Sequence, residues 1–411
     1  MPRISVTPQE GNELSNQNVI KEESFGTALK TVVRSNTRQY TMIAALLLIW
    51  ITFSILTGGI FLSSRNLSNL FLQMVHIGIM TSGMLLVMVA GNIDLSVGSV
   101  CGTLGALAAW LMARQGIHPV IAIIITLGCG LIVGLWHGFW IAFRKVPAFI
   151  VTLASQMAFK GFTLAITKGV TIGEFKPGFK AIGQDYIPRI FGSEDSLHST
   201  TIILVVIATL AFIFSDIHTR KKRIRNGFSV LRPSLEIAKV VIISAAILAV
   251  GLILASYRGV PYAIVILAVI AGIFIIITTR TPFGRHVYAI GGNMEAARLS
   301  GVNIRKTLML ICIAMGVLTG VGAMVFTARL NAATTAAGNG FELDVIAACI
   351  IGGTSTTGGI GTVFGAIIGA LVMASLDNGM SLMNLPIMIQ YIVKGLILLV
   401  AVWIDIANRK K

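Results

Sequence analysis

Between Arg38 and Arg65 no residue is charged, and most of the stretch is apolar. A helix needs about 20 such residues to cross the hydrocarbon core of a bilayer, where every backbone N–H and C=O must be satisfied within the segment. Further apolar spans recur at about 69–90, 95–113, 119–142, 148–167, 199–215, 240–256, 261–279, 307–328 and 387–404, after a first at 42–61. Such a chain is expected to fold as an all-α polytopic membrane protein with about ten transmembrane helices. Composition excludes a soluble alternative. Hydrophobic residues make up 55 % and charged residues 12 %, against roughly 25 % charged in soluble domains.

The net charge of +16 does not point to nucleic acid, because the basic residues collect in short loops between spans. With the N-terminus inside, 22 of the 32 Lys and Arg fall in the N-terminal tail, Arg144–Lys145, 217–239, 280–306 and the C-terminal tail. That bias places both termini in the cytoplasm. The chain divides into a polar cytoplasmic tail at 1–40, a transmembrane domain at 41–405 and a basic tail at 406–411. No signal-peptide apolar region precedes Thr41. The tail carries Arg3, Lys21, Lys30, Arg34 and Arg38, with a short surface helix expected near its end.

One further apolar stretch, 345–376, is interrupted by Gly352-Gly353-Thr354-Ser355-Thr356-Thr357-Gly358-Gly359. Such a run cannot continue a lipid-exposed helix, so it is read as a re-entrant or broken segment packed within protein. Ten full spans return both termini to one side only if 345–376 enters and leaves on the outer side. Gly91-Asn92-Ile93-Asp94-Leu95-Ser96 makes a comparable break. Small residues follow each break, Gly98, Gly102 and Gly105 in one case and Gly361, Gly365 and Gly369 in the other. Paired Gly-interrupted segments flag a transport pathway or two tightly packed hairpins. Gly91, Asn92, Asp94, Ser96, Gly352, Gly353, Thr354 and Ser355 are therefore candidate pathway or break residues.

Enzymatic chemistry lacks its parts. No GxxxxGK[ST], GxSxG or HExxH is present, so no cofactor, metal or P-loop is expected. The four cysteines, Cys101, Cys129, Cys312 and Cys349, sit in apolar segments without a CxxC pair. Asp94 is read either as the cap of a helix beginning at Leu95 or as a charged participant in transport. Lys160 and Lys394 are the other charges within spans, and neither has an obvious partner in sequence.

The 280–306 loop is the most informative polar piece. Asn293 is a good N-cap, Glu295 places an acid in the first turn, and Gly301 suits the residue just past the helix end. A helix over Met294–Ser300 that short must dock on something or rest on the bilayer.

Glu295-Ala296-Ala297, followed at the right spacing by Gly301 and Ile311, resembles the EAA-type loop of ABC-importer permeases. The Leu-Pro that usually closes that motif is replaced by Ile313-Ala314. Gly91-Asn-Ile-Asp-Leu-Ser-Val-Gly-Ser99 resembles a segment of ribose-, xylose- and arabinose-type permeases, and Glu342-Leu-Asp-Val-Ile-Ala-Ala348 with Ile351–Ser355 and Gly358–Thr362 is similar to their late signature. The long 168–198 and 217–239 loops look like the xylose and multiple-monosaccharide branch. The resemblance, over about 42–405, implies a permease subunit in the bacterial inner membrane importing a pentose or hexose such as xylose, arabinose, galactose or glucose. It implies a separate ATP-binding cassette subunit contacting Asn293, Glu295, Ala296, Ala297 and Gly301. It also implies a periplasmic sugar-binding protein, a second permease chain in a homodimer, and surrounding membrane lipid. The alternative is an ion-coupled secondary transporter resting on Asp94 and Lys394.

Overall fold

A computed structural model describes residues 37–192, 196–228, 230 and 233–409. The sequence readings on 1–36, including the surface helix and four of the five tail charges, and on Lys410 and Lys411 lie outside the described residues. The described chain is helical apart from turns and two two-residue strands. Among the described residues ten helices are long and apolar enough to cross a membrane.

Helix α1 is Thr37–Leu56, followed by α2 (Ser64–Val89), α3 (Val97–Ala109), α4 (Pro119–Gly138) and α5 (Ala148–Thr167). Five-residue π turns, Trp110–Arg114 and Phe139–Phe143, end α3 and α4. Strand β1 (Ile172–Gly173) and α6 (Pro177–Gln184) precede α7 (Ser199–Arg225), α8 (Pro233–Ala255) and α9 (Tyr262–Arg280). Then come α10 (Pro282–Gly292), α11 (Met294–Leu299), α12 (Ile304–Leu330), β2 (Ala332–Ala333), α13 (Phe341–Ile351), α14 (Val363–Leu382) and α15 (Ile387–Arg409).

The interrupted stretch is now explicit. Its first part is the short helix α13, and its second is a full-length helix, α14, which is one of the ten candidate spans. The apolar part of α1, Met42–Leu56, is by contrast shorter than a span. The 352–362 turn between α13 and α14 touches the ends of α2 and α10, because Gly359 N–H donates to Val89 O at 2.8 Å and Tyr288 Oη to Gly361 O at 2.7 Å. Asp405 on α15 accepts from Thr356 Oγ1 at 3.2 Å. The end of the bundle that carries α11 therefore also holds this turn and the C-terminal part of α15. Trp50 and Phe53 on α1 lie against Ser375 and Gly379 on α14, so α1 runs parallel to α14 and begins at that same α11 end.

The core sits around α2, whose apolar window is 94 % buried. Helix α12 packs between α2 and α4, and two glycines set the spacing. A Cβ on Gly316 would lie 2.2 Å from Gly130 O, so any larger residue would push these two helices apart. At the periphery α7 and α8 form a hairpin with little buried surface.

That hairpin corrects one boundary. The 217–239 segment, expected as a loop, is mostly helix, because α7 runs to Arg225 and α8 begins at Pro233. Its charges pair with each other instead of ending the helices: Lys239 Nζ lies 2.6 Å from both Asp216 and Glu236, and Arg220 is 3.7 Å from Glu236. The 168–198 loop likewise holds β1 and α6, with β1 pairing antiparallel to β2 and Phe179 fully buried.

Candidate functional site

Two regions carry the expected site residues, and a third was not anticipated. At the α11 end, Asn293 Oδ1 accepts the Ala296 N–H at 2.9 Å, the N-cap bond expected from sequence. The far end closes as a Schellman turn: Val302 N–H donates to Ala297 O at 3.1 Å, Gly301 N–H to Arg298 O at 3.0 Å, and Gly301 has φ +85°. Ala297 is buried, which anchors the helix from below. Glu295 and Arg298 pair on its exposed face, beside the exposed side chains of Met294 and Leu299. The helix thus shows solvent a small face that combines charge with apolar surface.

Helix α10 was missed in the sequence. Its signal was present: Thr281 before Pro282 is a cap followed by proline at the first helical position, and the Thr281 side chain accepts from Gly284 N–H at 3.2 Å. Helix α10 connects α11 to the transmembrane core. A Cβ on Gly291 would meet Val89 O at 1.6 Å, so only glycine permits this contact. Burial pushes the Tyr288 phenol above its ordinary range, so it remains a hydrogen donor to Gly361.

The two break segments occupy different places. Asp94 is buried, and its Oδ1 accepts from Ser96 N–H at 2.8 Å and from Ser96 Oγ at 2.6 Å. The helix begins at Val97 with Ser96 as its cap residue, two residues later than a start at Leu95. Asp94 therefore closes the turn before the helix instead of capping its first turn. Its Oδ2 lies 4.0 Å from His137 Nδ1, and Asn92, Asp94 and His137 line a cavity of about 20 Å³, room for about one water. Gly91 has φ +78°. In the other break, Gly352 packs on Gly365 and Gly353 has φ +87°, while Thr354 and Ser355 are buried. None of these eight residues lines the larger cavity described next.

That cavity, about 310 Å³, lies between α2, α12, α13, α14 and α15. Lys394 of α15 points into it, 3.0 Å from Asp344 on α13 and 2.8 Å from Asp377 on α14. Lys394, which had no partner legible in sequence, has two. Asp344 sits in the first turn of α13, where the helix dipole favours a carboxylate. His76, Phe326 and Phe341 form one wall, with ring centroids 4.9–5.0 Å apart. Sequence reasoning gave Asp344 no role beyond its place in the late signature and passed over Asp377, although an acid within an apolar helix is itself a functional signal.

Residues 66–402 match the family described as branched-chain amino acid transport system / permease component. The chain belongs to this permease family. The permease is 44 % identical over 376 residues to the xylose transport system permease protein XylH of Haemophilus influenzae, covering 92 % of this chain and 98 % of that one. It is 42 % identical to the protein of the same name from Escherichia coli K12, over 92 % and 93 % of the two chains. The ribose import permease protein RbsC of Bacillus subtilis is 31 % identical, over 85 % of this chain and 87 % of its own. No solved structure matches. The permease is thus a multi-pass membrane protein of the simple-sugar ABC-importer type, and as a permease component it is not itself an enzyme.

Proposed function

We propose that this permease carries a monosaccharide, xylose in the first instance, from the periplasm into the cytoplasm across the inner membrane. ATP is bound and hydrolysed on a separate cassette subunit that docks on α11, and a periplasmic binding protein delivers the sugar at the opposite end. The observation that carries this reading is the capped, two-ended α11, held by buried Ala297 and exposing Glu295, Met294 and Leu299. A six-residue helix is not stable alone, and this one is closed at both ends and offers a defined face to a partner. The ends of α1 and α15 at the α11 side support cytoplasmic termini, in line with the excess of Lys and Arg there.

Two copies of the chain are proposed to form the pathway. Among the described residues of α15 none is buried, and its faces turned away from the cavity suit lipid or a second copy. Coupling is mechanical: the cassette shifts the permease between states only by contacting α11 differently in each.

Uptake of labelled xylose by cells carrying the whole system tests the reading. Accumulation is expected to follow cellular ATP and to survive collapse of the ion gradients. Loss of accumulation on adding an uncoupler, with ATP still high, overturns it in favour of an ion-coupled transporter.

A further inference from the structure

The cavity between α2 and α12–α15 has a composition that the coupling mechanism does not require. It brings together two carboxylates and two cationic groups, since Arg329 joins Asp344, Asp377 and Lys394 in its lining. Their formal charges cancel, so the cavity has no bias toward an ion of either sign. Amides add polar groups of both kinds, with Gln73, Asn339 and Gln390 on three different segments. An amide offers a donor and an acceptor, and a carboxylate accepts at two oxygens. This mixture matches a ligand whose hydroxyls each donate and accept.

Aromatic faces complete the set. The His76–Phe326–Phe341 cluster borders one side of the cavity. Tyr391 borders another, its ring edge next to Gly340 at the start of α13. Flat apolar faces opposite hydrogen-bonding groups suit a ring with C–H on its faces and hydroxyls around its rim.

Four polar atoms of the lining have no hydrogen-bond partner among the described residues, His76 Nδ1, Arg329 Nε, Asp344 Oδ1 and Asp377 Oδ1, the two carboxylate oxygens lying within ion-pair distance of Lys394. His76 is only 4 % exposed. A buried polar atom left unsatisfied is destabilising unless something meets it, and a ligand hydroxyl in the cavity does so. At about 310 Å³ the cavity lies at the small end of the ~300–1,000 Å³ range of ligand sites, suited to a single sugar ring.

We propose that the permease itself holds a monosaccharide-binding site in this cavity, formed by Asp377, Lys394, the Gln73 and Gln390 amides and the faces of His76 and Tyr391. It rests on the sugar-import reading and adds to it a point of selection within the membrane, beyond the binding protein. Asp377 is more accessible than Lys394 and Asp344, at 26 % side-chain exposure against 16 % and 4 %, and is positioned to accept from a sugar hydroxyl.

The test is equilibrium dialysis of labelled xylose against the purified full-length chain in lipid nanodiscs, without binding protein. Saturable binding is expected, displaced by unlabelled xylose and not by leucine. Asp377→Asn and Tyr391→Ala are expected to weaken it at least tenfold, with Lys176→Ala, exposed and outside the cavity lining, unchanged. Size-exclusion profiles establish that each variant is folded, and Tyr391→Phe is expected to retain binding. No saturable binding to the wild-type chain, displacement by leucine alone, or equal binding by Asp377→Asn and Tyr391→Ala overturns the site. Xylose uptake by cells carrying the whole importer separates the two levels. Uptake without a saturable site removes this inference and leaves the import reading standing, whereas no chain-dependent sugar uptake removes both.

Discussion

The Tyr288 hydroxyl donates to the Gly361 carbonyl at 2.7 Å, tying α10 to the turn that follows α13. Through this bond the segment proposed to dock the cassette meets the turn after the helix that carries Asp344 into the large cavity. Tyr288→Phe removes the bond and leaves the ring, at a cost of about 0.5–1.5 kcal/mol. The variant is expected to assemble normally, with less transport for each ATP that the cassette subunit hydrolyses. Parallel assays of ATPase rate and sugar uptake in proteoliposomes check this, and an unchanged ratio counts against a coupling role for the bond.

Gly301 has φ +85° and open space around the position of a Cβ. The cost of replacing it is therefore conformational, about 1–2 kcal/mol for an ordinary residue in the left-handed region. Gly301→Val is expected to insert and fold but to lose co-purification with the cassette subunit. Gly301→Asn is expected to retain it, since Asn tolerates this conformation. Glu295→Lys should act similarly, by putting a positive charge at the helix N-terminus. Wild-type assembly in Gly301→Val and Glu295→Lys together would leave α11 a plain surface helix.

Asp94 closes the turn before α3 through Ser96. Asp94→Asn keeps an acceptor oxygen for those bonds, so near-normal membrane levels and uptake are expected. Asp94→Ala removes the acceptor of the buried Ser96 N–H and hydroxyl and is expected to cost about 1–3 kcal/mol, the range for a buried donor left unsatisfied, read as a lower melting temperature in detergent. Abolished uptake in Asp94→Asn at full expression would instead give the charge itself a role in transport.

Lys394 neutralises two carboxylates, one of them almost wholly buried. Lys394→Met leaves both uncompensated and is expected to destabilise the protein by about 3–5 kcal/mol, the range for breaking a buried ion pair. Combining it with Asp344→Asn and Asp377→Asn is expected to restore much of the melting temperature. Equal losses in the single and triple variants would show that the lysine stem, not its charge, matters.

Much of the architecture is readable along the chain because bilayers impose a local rule. Each spanning helix must satisfy its own backbone, so length and hydropathy mark it without knowledge of its neighbours. The same locality made α11 legible: Asn293 and Gly301 act on backbone groups within a few residues of themselves. Helix ends carrying charge were less readable. Glu236 and Lys239 looked like loop residues because Arg220 and Asp216, which pair with them, sit on the neighbouring helix.

By itself the sequence determined the number and order of the apolar segments, the two glycine breaks, the caps of α11 and the family resemblance. Only the tertiary structure decided that 345–376 is a short helix followed by a full span, and that Asp344, Asp377 and Lys394 meet. The reason is separation along the chain. Lys394 lies 50 residues from Asp344, and no local pattern records which faces of α13, α14 and α15 turn toward one another. Helix packing sets that, where glycines such as Gly130 and Gly316 let backbones close to a distance that larger side chains forbid.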